Sequence, residues 1–254
     1  MSNEAPVKNL DKVLDLLTYL SQQDEPQNVA QLSRYLNVTR NTIYAMLASL
    51  QSRNFVEKSS DGRFSIGYGL LQLVSNYNHQ YPFLYTAQRH MQDLSAQMGL
   101  PVSLFVYKPG LNCLRLSSTE PTAALSPGGL VHACTTAPGK LLLAAQPDEV
   151  IWEELKTNPI EKYTEKTITK PEQILAQIPT YRSAEYAVEF GERFSNSGTV
   201  AASIRDRADH VVAAISVFLG AMPSEERLQN YVGQLRLTAA RISAELGNFR
   251  TILI

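Results

Sequence analysis

The sequence predicts an α+β protein: an N-terminal winged helix-turn-helix, a linker helix, and a C-terminal antiparallel sheet with packed helices. Three observations predict it. Residues 28–66 (NVAQLSRYLNVTRNTIYAMLASLQSRNFVEKSSDGRFSI) carry two runs of apolar side chains at helical spacing, then alternate apolar and polar around Asp61-Gly62. From Gly99 onward, strand-like runs and turn residues are interleaved with helical segments. The chain has 254 residues, 44% of them apolar, which suffices for two packed cores.

Taken in order, residues 7–22 form a first helix with Leu10, Val13, Leu14, Leu16, Leu17 and Leu20 on a broad apolar face, ended by Asp24-Glu25-Pro26. A second helix places Val29, Leu32 and Leu36 on one face. A third places Ile43, Leu47 and Leu50, with Ala45 and Ala48 small enough for close packing. Asn28 and Thr39 are the N-caps, because their side-chain oxygens accept orphan backbone N–H groups. Asn37 supplies the residue that tolerates positive φ in the turn, and Val38 plugs the space between the helices. Residues 55–58 and 63–66 form a hairpin around Asp61-Gly62. Gly67-Tyr68-Gly69 breaks the chain, and 70–78 is a linker helix with either a dimerising face or a simple connecting role.

Helix 83–98 follows Pro82. Residues 101–107 and 113–118 are strands turning at Pro109-Gly110. A helix within 136–145 begins just past Pro138-Gly139, and helices occupy 147–155 and 171–181. Strands are expected at 185–188, 199–205 and 211–218, with a turn at 206–209, and 224–246 is a closing helix. Mixed helices and hairpins argue for a sheet with helices packed on it.

The exposed face of the third helix carries Arg40, Asn41, Thr42, Tyr44 and Ser49, with Gln51 and Arg53 after it. Arg pairs bidentately with guanine and Asn with adenine, and Thr reaches base or phosphate. The first residues of such a helix are the ones that meet base edges. Thr39 stands at that start, and Lys58 and Arg63 sit where a wing would touch phosphate. Residues 26–66 hold Arg34, Arg40, Arg53, Lys58 and Arg63 against Glu57 and Asp61, a local basic excess in a chain of net charge −1. That excess suits phosphate contact. Two amphipathic helices and a hairpin also occur in domains that bind protein instead of DNA.

Other classes find little support. Cys113 and Cys134 form no CxxC and have no His at ligand spacing, so neither structural zinc nor a disulfide framework is expected. No secretion signal opens the chain. The longest apolar run, 211–222, is too short to span a bilayer and reads as a buried strand, so a soluble, cytoplasmic protein is expected. G-x-S-x-G, P-loop, GxGxxG and HExxH motifs are all missing, so neither an enzyme nor a cofactor is expected. His79 and His90 read as surface or interface groups, His210 as a turn residue, and His132 as a group with no nucleophile to serve. Cys134 reads as a buried small hydrophobe.

Over essentially its full length the chain resembles the IclR-type bacterial transcriptional regulators. The resemblance rests on LSRYLNVTRNTIYAMLASLQSRNFVEK, the FSIGYGLLQLV phrase, residues 136–144 (TAPGKLLLA), Tyr186-Ala187-Val188 with Glu189, and the paired VAASIRD and VAAISV strands. It implies a DNA-binding domain at 6–68, a linker at 69–82 and a GAF-like effector-binding domain at 83–253. It also implies a homodimer or dimer of dimers on a palindromic double-stranded operator. The implied pocket residues are Thr136, Ala137, Glu189, Thr199, Ser216 and Phe218. A helix N-terminus holds anions and hydroxyls fix orientation, so the implied effector is a carboxylate or aromatic metabolite. This chain departs from the family pattern at Cys134, Glu185, Glu189, Thr199 and Phe218, which bears on effector identity and not on fold.

Overall fold

The computed structural model describes residues 8–78, 81, 83–120 and 127–248. The chain divides into two compact units, Met1–Tyr81 and Pro82–Ile254.

The first unit contains α1 (Lys8–Ser21), α2 (Val29–Leu36), α3 (Arg40–Gln51), β1 (Val56–Lys58), β2 (Phe64–Ile66) and α4 (Gly69–Asn78). Local chemistry sets each boundary. Asn28 and Gln31 form a reciprocal capping box, with N···O distances of 2.8 and 3.0 Å. Asn37 takes the left-handed conformation at φ 51°, and its N–H returns to Arg34 and Ser33 carbonyls. Thr39 caps α3 by accepting the Thr42 N–H at 3.3 Å. Leu16, Leu20, Leu32, Ile43, Leu47, Leu50, Val56 and Phe64 form the core, with Val38 packed against it.

Two expectations about this core fail. Leu10 and Leu14 are 55% and 53% exposed, so the buried face of α1 is narrower than the run of leucines suggests. On α3, Ala45 and Ala48 are exposed and Met46 is buried in their place. A helix in so small a unit buries a stripe of about 100°, and apolar residues outside it remain in water. Gly67 is required by close approach: a Cβ there would lie 2.3 Å from the Asn54 carbonyl oxygen.

The second unit is built on one antiparallel six-stranded sheet, ordered β5-β4-β3-β8-β7-β6. Its strands are β3 (Val102–Lys108), β4 (Asn112–Ser118), β5 (Leu130–His132), β6 (Tyr186–Phe190), β7 (Gly198–Arg205) and β8 (Val211–Leu219). Helices α5 (Phe83–Met98) and α9 (Glu225–Glu245) pack together, α5 against β3 and α9 against β7. From the β5 edge the chain makes a 3₁₀ turn (Ala133–Thr135). It then passes through α6 (Ala137–Ala144), α7 (Asp148–Thr157) and α8 (Pro171–Ser183) before entering β6 at the opposite edge. That crossing lays the start of α6 over β6 and β7.

Two expectations are corrected here. Helix α6 starts at Ala137, before Pro138-Gly139. Proline costs nothing in a first turn, where its missing N–H would be an orphan, and Gly139 lets the helix approach Ala133, whose carbonyl oxygen would lie 2.4 Å from a Cβ. The strand expected at 185–188 runs Tyr186–Phe190, and the Glu185 side chain instead meets Arg236 of α9 at 2.5 Å. Strand β5 and its 3₁₀ turn were not anticipated. Three residues are too short for a periodic signal, and the pairing with β4 is non-local.

Candidate functional site

Two features carry polar side chains that neither core explains. The first is the outer face of α3. Arg40, Asn41 and Tyr44 are exposed there, on the side opposite Ile43, Leu47 and Leu50. Thr39 and Thr42 hydroxyls bond each other at 2.9 Å at the start of the helix, so their first role is capping. Arg34 is exposed in the last turn of α2. Arg53 follows α3 and donates to the Ser49 carbonyl at 3.4 Å. In the wing, Arg63 pairs with Asp61 at 3.1 Å, and Lys58 lies over the Phe64 ring at 5.7 Å. Ser59 bonds Asp61 and lowers its carboxyl pKa, with Arg63 adding to the effect.

The second feature is a cavity of about 610 Å³ between the sheet and the start of α6, within the range of small-molecule sites. Thr136, Glu189, Thr199, Ser216 and Phe218 all line it. Ala137 does not. Its methyl group is buried with Leu141, Ala187 and Ala201, and its N–H donates to Thr199 Oγ1 at 2.9 Å. Thr136 flanks the helix without capping it, since its hydroxyl donates to the His132 carbonyl at 3.2 Å.

Glu189 is buried. It accepts the Glu192 N–H at 2.6 Å, and Thr199 Oγ1 lies 3.4 Å from its other oxygen. Burial raises its pKa, and the Glu192 and Arg193 backbone N–H groups partly offset that. Behind this wall Lys140, itself buried, ion-pairs with Glu192. Thr164 and Thr167 hydroxyls hold the Gly191 and Glu192 carbonyls at 2.6 and 2.7 Å.

The cavity also takes residues that the sequence did not single out: Ser103 and Phe105 on β3, Arg115 on β4, and Arg193 and Phe194 after β6. Arg115 is buried with its guanidinium over the Phe105 ring at 5.1 Å. Arg193 stacks on Tyr163 at 3.6 Å. Phe194 and Phe218 meet edge to face at 6.3 Å. Strand alternation on β3 and β4 could have flagged Arg115, since an arginine amid Cys113, Leu114 and Leu116 has to be partnered or used.

The remaining candidates lie elsewhere. Burial pushes the Cys134 thiol up to about 12, and the buried Cys113 thiol is raised too, so both are inert at neutral pH. His90 bonds Glu245 at 2.7 Å, joining α5 to α9. His210 closes the turn after Asp206. His132 accepts the Cys134 N–H at 3.2 Å, and burial lowers its pKa. His79 lies outside the described residues.

A helix-turn-helix with a polar outer face, joined in one chain to a pocket-bearing sheet domain, defines a ligand-responsive regulator of transcription. The comparisons with known proteins agree. The IclR helix-turn-helix domain model matches residues 9–60, and the bacterial transcriptional regulator IclR C-terminal model matches residues 76–244. The chain belongs to the IclR family, which is a family of regulators and not of enzymes. It is 25% identical to the regulator KdgR of Escherichia coli over 253 residues, covering 95% of this chain and 93% of that protein. The Thermotoga maritima IclR structure superposes with a TM-score of 0.80 at 25% identity, over 95% of this chain and 100% of that one. An IclR homologue from Microbacterium hydrocarbonoxydans, solved with 4-hydroxybenzoate, gives a TM-score of 0.75 at 21% identity over 94% and 98% of the two chains. Among the described residues no helix is long and apolar enough to cross a membrane.

Proposed function

We propose that the chain binds a palindromic operator as a homodimer or dimer of dimers, and that a small organic or aromatic acid in the cavity controls that binding. Residues 6–68 read DNA, 69–82 link, and 83–253 sense. The observation that carries the reading is the cavity itself. Five residues chosen from sequence converge on one cavity that combines apolar wall with convergent polar side chains, which is the form of a ligand site. The complex of the Microbacterium homologue with 4-hydroxybenzoate supports an aromatic acid here.

Dimerisation follows from the limits of one recognition helix. Two copies of α3 about 34 Å apart, or a multiple of that, read two half-sites. Exposed Leu10 and Leu14 on α1, and Leu71 and Leu73 on α4, supply apolar surface for pairing. DNA binding uses Arg34, Thr39, Arg40, Asn41, Thr42, Tyr44, Arg53, Lys58 and Arg63.

A gel shift against the DNA flanking the chain's own gene tests the reading. A salt-sensitive, sequence-selective shift is expected, reversed or strengthened by an acid found in a thermal-shift screen of carboxylates, aromatic acids and sugar acids. No selective shift at any salt concentration would overturn it.

A further inference from the structure

A second cleft, of about 570 Å³, opens at the other end of the same helix and strand. The first cavity takes Thr136 and Pro138 from the start of α6 and Thr199 from the start of β7. The second takes Leu141 and Ala144 from the end of α6, and Ser203 and Arg205 from the end of β7. Among the described residues the two linings share none.

The second cleft is rich in hydrogen-bond donors. Arg205 is half-buried, and its Nη1 donates to the Asp209 carbonyl at 2.9 Å. That bond fixes the guanidinium, and among the described residues its Nε and Nη2 are uncommitted and no carboxylate ion-pairs with it. Arg182 donates from Nε and Nη2 to the Ala144 and Gln146 carbonyls at 2.7 and 2.8 Å, and Nη2 also meets Asp148 at 2.6 Å. These bonds cover the carbonyl end of α6, whose partial negative charge would otherwise oppose an anion. Arg182 Nη1 and the Ser203 hydroxyl are uncommitted among the described residues. The lining also holds the Asp209 carboxylate, whose Oδ1 already accepts from Asn248 at 3.1 Å.

Such a donor set suits phosphate. A carboxylate has two coplanar oxygens, which a single guanidinium satisfies. A terminal phosphate has three, and two arginines with a hydroxyl match that number. The cleft is larger than one phosphate group needs, and Leu141, Ala144, Pro147 and Val211 leave apolar wall for an organic remainder.

We propose that this cleft is a second ligand site, which binds the phosphate group of a small phosphorylated metabolite, with Arg205 as its main contact and Arg182 and Ser203 beside it.

Calorimetric titration of the full chain with ribose 5-phosphate, inorganic phosphate and ribose, at fixed ionic strength, tests it. Ribose 5-phosphate should bind and ribose should not. Arg205→Gln should weaken the ester about tenfold or more, the scale of one charge-assisted hydrogen bond, and Arg205→Lys should restore part of the loss. Ala145 is exposed at the cleft wall, so Ala145→Trp should fill the cleft, leave the core intact and abolish binding even if Arg205→Gln misfolds. Circular dichroism confirms folding. Arg115→Gln in the first cavity and Arg40→Ala on α3 should not change this binding. Inorganic phosphate bound as tightly as the ester overturns the metabolite assignment and leaves the free ion as the ligand. Binding of neither phosphate compound, or binding that survives Ala145→Trp, overturns the site. Loss of binding in Arg115→Gln or Arg40→Ala alone would place the phosphate elsewhere and overturn it equally.

Discussion

Thr199 Oγ1 accepts the Ala137 N–H at 2.9 Å, so a strand residue caps a helix 62 positions away in sequence. The adjacent Thr136, at the N-cap position, turns its hydroxyl to the His132 carbonyl instead. The start of α6 is therefore tied to β7, at the wall of the cavity.

Removing that tie should be costly. Thr199→Val keeps the shape but leaves a buried N–H without an acceptor, so a loss of about 1–3 kcal/mol is expected. Thr199→Ser should retain most of the stability. Urea unfolding of both variants checks this, and equal midpoints for Val and Ser would show that the bond contributes nothing.

The buried Lys140 and its mostly covered partner Glu192 stand behind the same wall. Lys140→Met strands the Glu192 carboxylate away from water, and a loss of about 3–5 kcal/mol is expected. Adding Glu192→Gln should recover part of it, so the two changes will be non-additive. A double-mutant cycle by denaturant unfolding measures the coupling, and strict additivity would refute it.

Arg40 is exposed on α3 and touches neither core. Arg40→Ala should weaken operator binding by about 1–3 kcal/mol, the scale of one bidentate base contact. Calorimetric binding of a screened acid should survive the change. Joint loss of both activities would assign Arg40 a structural role.

The raised Glu189 pKa sets a pH dependence. The folded chain keeps this proton at pH values where the unfolded chain, near the ordinary 4.5, has already released it. Stability from this group therefore falls as pH rises from about 4.5 through the folded value. Glu189→Gln cannot titrate. The Tm of the native chain relative to Glu189→Gln should accordingly climb as pH is lowered toward 5, and scanning calorimetry at several pH values reads the difference. A flat or opposite trend would mean that the donors from Glu192 and Arg193 outweigh burial.

Much of the DNA-reading unit was legible because its signals are local. Asn28 with Gln31, Asn37 at positive φ, and Thr39 before Thr42 each act within a few residues. The leucines of α1 misled because periodicity names a possible apolar face without measuring how much of it a neighbour covers. Five pocket residues were accessible through family resemblance. Ser103 and Arg193 were not, because no short-range pattern links separate chain segments, and Arg115 showed only as an arginine within an apolar strand.

The sequence alone determined the helices of the first unit, the caps of α2 and α3, the hairpin turn and the family, since these depend on the spacing of neighbouring side chains. Only the tertiary structure decided that β5 pairs with β4, that Thr199 takes the N–H of α6, and that Arg115 and Glu189 line one cavity. Those outcomes rest on antiparallel pairing between distant segments, and that pairing sets which faces meet only once the sheet has formed.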